Sequence, residues 1–211
     1  MKVIYSDSFR LPYKIQPESL NIGQTSSVYT VSSPVTAVGL FQTNMADLTI
    51  QASTDGFSSF VYSQNFTNVS SDFYVDTGGE IPAAEWRILA NATGVVGQLY
   101  AGKLIDITDP SYPFSFDTSV FSEDRESIAG TIFSREKYRA RRGSWSWDWL
   151  QASESGLWTE WYNTTSGFRF PFIIVHPLTG DTLLCKAPGN FPLQLIFNNV
   201  YSSQIELLEV L

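Results

Sequence analysis

The sequence has almost no cysteine or histidine, and those two shortages remove whole classes of protein. Cys185 is the single cysteine and His176 the single histidine. One thiol cannot close an internal disulfide, and one Cys with one His falls short of the ligand set of a common zinc site. No apolar run approaches the ~20 residues needed to span a bilayer, so membrane insertion is not expected. The opening Met1-Lys2-Val3-Ile4-Tyr5-Ser6-Asp7 has too short an apolar stretch for a secretory signal, which predicts a soluble chain made in the cytoplasm. Positive charge is scarce as well: 13 Lys and Arg against 21 Asp and Glu give a net charge of −8. Phosphate backbones are held by excess cations, so generic nucleic-acid binding is not expected. Charged residues of both signs make up 16% of the chain, against ~25% in an average soluble domain. A surface so poor in charge fits a chain packed against other subunits better than a free monomer.

What is abundant is apolar and aromatic, 43% and 15% of the 211 residues. That excludes a disordered or coiled-coil chain and is enough for one large β-domain or two of roughly 100 residues. Period-2 alternation between turn residues recurs from end to end, whereas helical periodicity is nearly absent. The spacing predicts strands at 28–31, 37–42, 48–52, 60–62, 86–90 and 98–107, the density of a sandwich. Ser53-Thr54-Asp55-Gly56 and Asp76-Thr77-Gly78-Gly79 read as turns, the first as a tight hairpin. Two prolines within Asp109-Pro110-Ser111-Tyr112-Pro113 exclude a central strand and mark a boundary between 108 and 125. We divide the chain into 1–115 and 116–211. Beyond the boundary, 127–133 and 138–150 read as the strands of a long hairpin, followed by one helix around 153–162 with Ser153 as N-cap. Strands at 170–175, 193–197 and 204–210 close the chain.

Catalytic chemistry finds little to work with. His176 ends an apolar strand just before Pro177, and nothing marks it as the base of a triad. Glu80, Glu85, Asp106 and Asp109 are available as paired carboxylates for glycoside hydrolysis, but their spacing is that of turn and surface acids. Gly94-Val95-Val96-Gly97 lacks a phosphate-loop fingerprint. No cofactor or metal is expected. The Asn-X-Ser/Thr sequences at Asn65, Asn68, Asn91 and Asn163 read as chance in a Ser- and Thr-rich chain.

Three features stand out. Five of the thirteen basic residues fall within Arg135-Glu136-Lys137-Tyr138-Arg139-Ala140-Arg141-Arg142. Strand alternation puts Arg135, Lys137, Arg139 and Arg141 on one face, a surface suited to an acidic neighbour such as another copy of the chain. Trp145, Trp147 and Trp149 share one strand face by the same rule, and with Trp86 they read as core or subunit interface rather than as a sugar platform. Gly97 and Gly102 bracket Gln98-Leu99-Tyr100-Ala101, where a turn enters a strand and a second segment comes close, so both are expected to serve the backbone.

Several of these strings look like segments of known proteins. Ala83-Ala84-Glu85-Trp86-Arg87-Ile88-Leu89-Ala90, then Gly97-Gln98-Leu99-Tyr100-Ala101-Gly102-Lys103-Leu104, resembles a pattern in tail-tip proteins of long-tailed phages. Arg141-Arg142-Gly143-Ser144-Trp145-Ser146-Trp147-Asp148-Trp149-Leu150, Pro171-Phe172-Ile173-Ile174-Val175-His176-Pro177 and Ile205-Glu206-Leu207-Leu208-Glu209-Val210 are similar in the same order. The matches span about residues 37–211. The resemblance implies an all-β chain, a galactose-binding-like jelly roll followed by a tail-tube-like β-sandwich with one short helix. It implies a virion protein without catalysis, similar to distal tail or baseplate-hub components, forming a ring of its own copies between the tail tube protein and the hub or adhesion proteins. Where such proteins often place an acidic residue before the proline, this chain has His176, so no metal or acid role is carried to that position. The alternative is a carbohydrate-binding module that touches the host surface through loops of the first half.

Overall fold

The computed structural model describes residues 1–6, 18–69, 72–113, 115–126, 132–187, 193–197 and 199–210, with the backbone alone described at 115, 119–126, 132–140 and 197. In chain order the strands begin β1 (Lys2–Tyr5), β2 (Glu18–Leu20), β3 (Tyr29–Val31), β4 (Val35–Phe41), β5 (Leu48–Ser53), β6 (Tyr62–Phe66), β7 (Phe73–Ile81), β8 (Ala84–Ala90), β9 (Gly94–Val96) and β10 (Gln98–Asp106). They continue with β11 (Ser115–Glu126), β12 (Ile132–Gln151), the helix α1 (Ala152–Thr164), β13 (Phe172–Val175), β14 (Thr182–Lys186), β15 (Gln194–Phe197) and β16 (Val200–Glu209). The strands pair antiparallel, and the fold is an all-β sandwich with one short helix. Two compact units result, Met1–Ile107 with Phe172–Leu183, and Thr108–Pro171 with Leu184–Leu211.

In the first unit, strands run in the order β7-β4-β10-β1-β13, and a four-stranded sheet runs β3-β8-β5-β6. β8 illustrates why alternation reads as a half-buried strand: Ala84, Trp86, Ile88 and Ala90 are buried, while Glu85, Arg87 and Leu89 face outward. Val38, Leu40, Leu99 and Ala101 share a core with Ile50, Trp86 and Ile88. Burying each such large side chain is worth about 1.5–3 kcal/mol. β4 is buried along nearly its whole length, with Thr36 alone half-buried.

Both expected turns take another form. β5 and β6 pair outward only to Ala52 and Tyr62, so 54–61 is a long loop instead of a tight hairpin, and of the expected strand 60–62 only Tyr62 belongs to β6. Asp55 organises it, accepting from Ser53 Oγ at 2.6 Å, Ser59 N at 3.0 Å and Ser59 Oγ at 2.6 Å. Asp76–Gly79 lies inside β7, where the register steps from Val35↔Ile81 to Ala37↔Asp76. Gly78 adopts φ 73° there, and its N–H donates to Asp76 Oδ1 at 2.9 Å. The turn residues make a bulge because strand pairing resumes on both sides of them.

The Asp55 loop carries a pH prediction. The Ser53 hydroxyl first, then the Ser59 hydroxyl and N–H, hold the Asp55 carboxyl down at about 2. An unfolded Asp titrates near ~3.9, so ionised Asp55 favours the ordered loop above about pH 4, and that contribution is lost as pH falls through about 2. Exchange of the Phe57 and Ser59 amides, corrected for intrinsic rates, is expected to accelerate across that window. The Asp55→Asn protein should exchange fast throughout, and a pH step surviving in it would assign the effect to another group.

In the second unit, β11 and β12 form the long hairpin, β12 pairs with β16, and β14 and β15 border β16. Of the expected strand 127–133, residues 127–131 lie outside those described, and Ile132 and Phe133 open β12. The helix starts one residue earlier than expected: Gln151, in extended conformation, precedes it without a side-chain cap, and Ser153 is already helical. Glu154 in the first turn sits at the positive end of the helix dipole and accepts from Thr108 N at 2.9 Å and Thr108 Oγ1 at 2.7 Å. Aromatic rings fill this core, with centroids 6.4 Å apart for Trp145–Trp147, 4.8 Å for Trp147–Trp158, 5.3 Å for Trp158–Trp161 and 4.6 Å for Trp161–Phe168. The expected three-tryptophan face stops at two. The register slips between Trp147 and Leu150, so Leu150 takes the buried position and Trp149 is left 71% exposed.

Candidate functional site

Among the described residues, the outer half of the long hairpin pairs with no third strand. Among the described residues, β12 meets β16 from Arg142 to Gln151, whereas from Ile132 to Arg141 its ladder runs with β11 alone. β11 is the last strand of its sheet. At about 3.3 Å per residue, the stretch from Thr118 to Glu126 makes a two-stranded arm roughly 26 Å long. Two strands by themselves are marginally stable in water and present open backbone groups along their edges.

The basic segment lies on this arm, and the register distributes it unevenly. Glu123 stands opposite Arg135 and Asp117 opposite Arg142, while Arg139 stands opposite Val120. The ladder steps from Phe121↔Tyr138 to Ser122↔Glu136, passing over Lys137. An unbroken period of two therefore does not run through all four basic positions. Arg141, at the root of the arm, is engaged within its own unit: Nη2 lies 2.5 Å from Glu209 Oε1 and Nε donates to Oε2 at 2.9 Å. Glu209 was hidden in the sequence because its partner is far away in the chain and the closing strand has no other mark. Trp145 and Trp147 are buried inside the same unit, Trp147 donating from Nε1 to Thr108 O at 2.8 Å.

Gly97 and Gly102 lie where other backbone crosses them. A Cβ on Gly97 would run into Phe41 O and reach 2.6 Å from Gln42 O; on Gly102 it would run into Tyr5 O.

Cys185 is fully buried, and burial pushes its thiol up, with Glu209 adding to the rise and Arg141 opposing it. Such a thiol remains protonated and is a poor nucleophile. His176 Nδ1 accepts from Leu178 N at 3.3 Å and Thr179 N at 3.2 Å, closing a turn. Glu80, Glu85 and Asp106 sit on three different strands, and Asp109 follows β10 outside any strand. Among the described residues, no three metal-ligating side chains come together, and no helix is long and apolar enough to cross a membrane.

Comparison with protein-family models, curated proteins and solved structures finds no match to this chain.

Proposed function

We propose that the chain is a structural protein of a phage tail tip, whose copies assemble into a ring between the tail tube and the hub or adhesion proteins. The observation that carries the reading is the β11–β12 arm. A two-stranded ribbon with open edges gains most by adding to the sheet of a neighbour, because every unpaired backbone group then finds a partner. In a chain of net charge −8, the arm also concentrates basic residues, and Lys137 and Arg139 have no acidic residue opposite them in the ladder. They suit an acidic face on the next copy, where a desolvated charge pair costs about 2–5 kcal/mol to break. The all-β sandwich architecture supports the reading in outline, and the ordered resemblance implies a galactose-binding-like 1–115 followed by a tail-tube-like 116–211.

The test is assembly of the full chain, followed by light scattering and by electron microscopy of the particles. Wild-type protein is expected to form closed rings that dissociate as salt rises. A Lys137→Glu, Arg139→Glu double variant should remain monomeric with an unchanged circular dichroism spectrum and melting temperature. Wild-type protein that stays monomeric at every concentration, or variant rings as stable as wild-type ones, would sink the proposal.

A further inference from the structure

The turn between β13 and β14 holds an arrangement unrelated to the arm. It runs from His176 to Asp181 and is closed by the His176 N–H, which donates to Asp181 O at 2.8 Å. The backbone donors inside it can be accounted for one by one. Pro177 has none. Leu178 and Thr179 donate to His176 Nδ1 at 3.3 and 3.2 Å, Gly180 donates to His176 O at 2.9 Å, and Asp181 donates to Thr179 Oγ1 at 3.3 Å. His176 thus receives three of these four amides, two of them through its ring. A ring nitrogen accepts only through its lone pair, so Nδ1 is the bare nitrogen and the proton of the neutral ring sits on Nε2. Gly180, at φ 75°, turns the chain back toward β14. Leu178 stands at the tip, 73% exposed.

We propose that this turn is a proton-operated latch, closed while His176 Nδ1 is bare and loosened when the ring takes up a proton there. Protonation places an N–H where the lone pair was, and an imidazolium has two donors and no acceptor. Three N–H groups then converge on one point, and the Leu178 and Thr179 amides must turn away to water. The bonds from Gly180 N to His176 O and from His176 N to Asp181 O do not involve the ring, so the hairpin stays paired while its tip is released. Imidazole is the side chain that ordinarily exchanges a proton near neutral pH, which makes it a reversible acceptor where an Asn side chain would be a permanent one. The charged groups on the turn and on the strands beside it are Asp181, Lys2 on β1 opposite Val175, Asp106 on β10 opposite Lys2, and Lys186 at the end of β14. None of them accepts the Leu178 or Thr179 amide, so the release follows the ring. Release converts Leu178 from a fixed apolar projection into a mobile one. The turn lies within one unit, and the latch works in a single chain.

NMR on the full chain tests it. His176 is the single histidine, so its ring-proton resonance reports the protonated fraction without overlap from another imidazole. As the pH is lowered from about 8 to about 4, exchange of the Leu178 and Thr179 amides, corrected for intrinsic rates, is expected to rise about tenfold in step with that fraction, the effect of losing one hydrogen bond. The His176 amide should stay protected throughout. His176→Asn supplies an acceptor that takes up no proton, so both amides should remain protected at every pH. His176→Phe supplies none, and they should exchange fast at every pH. Asp181→Asn should keep the wild-type step. The proposal fails if the two amides ignore the charge of the ring, if the His176→Asn protein shows the same step, or if the Asp181→Asn protein loses it.

Discussion

Gly97→Ala protein is expected to lose about 3 kcal/mol of stability or more and to melt roughly 10 °C lower than wild type. The added methyl group would overlap Phe41 O and approach Gln42 O to 2.6 Å and Gln42 C to 2.8 Å. These are backbone atoms at the end of β4, a strand hydrogen-bonded to β10 from Phe41↔Gln98 to Ala37↔Gly102. A flexible side chain could swing aside; a paired strand cannot move without breaking its ladder. Gly156 is the control. It is exposed within α1, and a Cβ there meets nothing within 4 Å, so Gly156→Ala should gain about 0.5–1 kcal/mol by restricting the unfolded chain. Thermal unfolding of the two proteins side by side checks the account, and equal melting temperatures would refute it.

Trp158→Ala is expected to cost about 3–5 kcal/mol, the usual penalty for emptying a buried aromatic site. Trp158 is fully buried, and its ring stands between those of Trp147 and Trp161 at 4.8 and 5.3 Å. Removing it leaves a cavity lined by rigid rings that collapse poorly, and it takes away a ring contact between α1 and β12. Near-UV circular dichroism should therefore lose its tryptophan signal well before far-UV strand signal is affected. Trp149→Ala, at a position 71% exposed, is expected to leave both spectra and the melting temperature nearly unchanged. A Trp158→Ala protein as stable as wild type would mean that α1 is held by other contacts.

Particular elements explain what was legible beforehand. β8 was visible in the sequence because burial on one face imposes a strict alternation, and β16 was visible for the same reason. β1 and β7 were not. β1 is a short apolar segment at the chain start whose strand character depends on β10 and β13, paired with it from distant parts of the sequence. β7 contains two glycines and an Asp that argue locally for a turn, and only continued pairing with β4 on both sides makes them a bulge.

The sequence by itself determined the class of this protein: an aromatic-rich, acidic, all-β chain with one helix and no disulfide framework. Side-chain period, turn chemistry and composition act locally, so they can be read from a single strand of text. The tertiary structure alone decided which alternations are interrupted. One extra residue after Trp147 turns Trp149 outward and Leu150 inward, and one at Lys137 breaks the basic stripe. A bulge is set by the match between two strands, and each strand's partner is chosen by packing and hydrogen bonding across the fold.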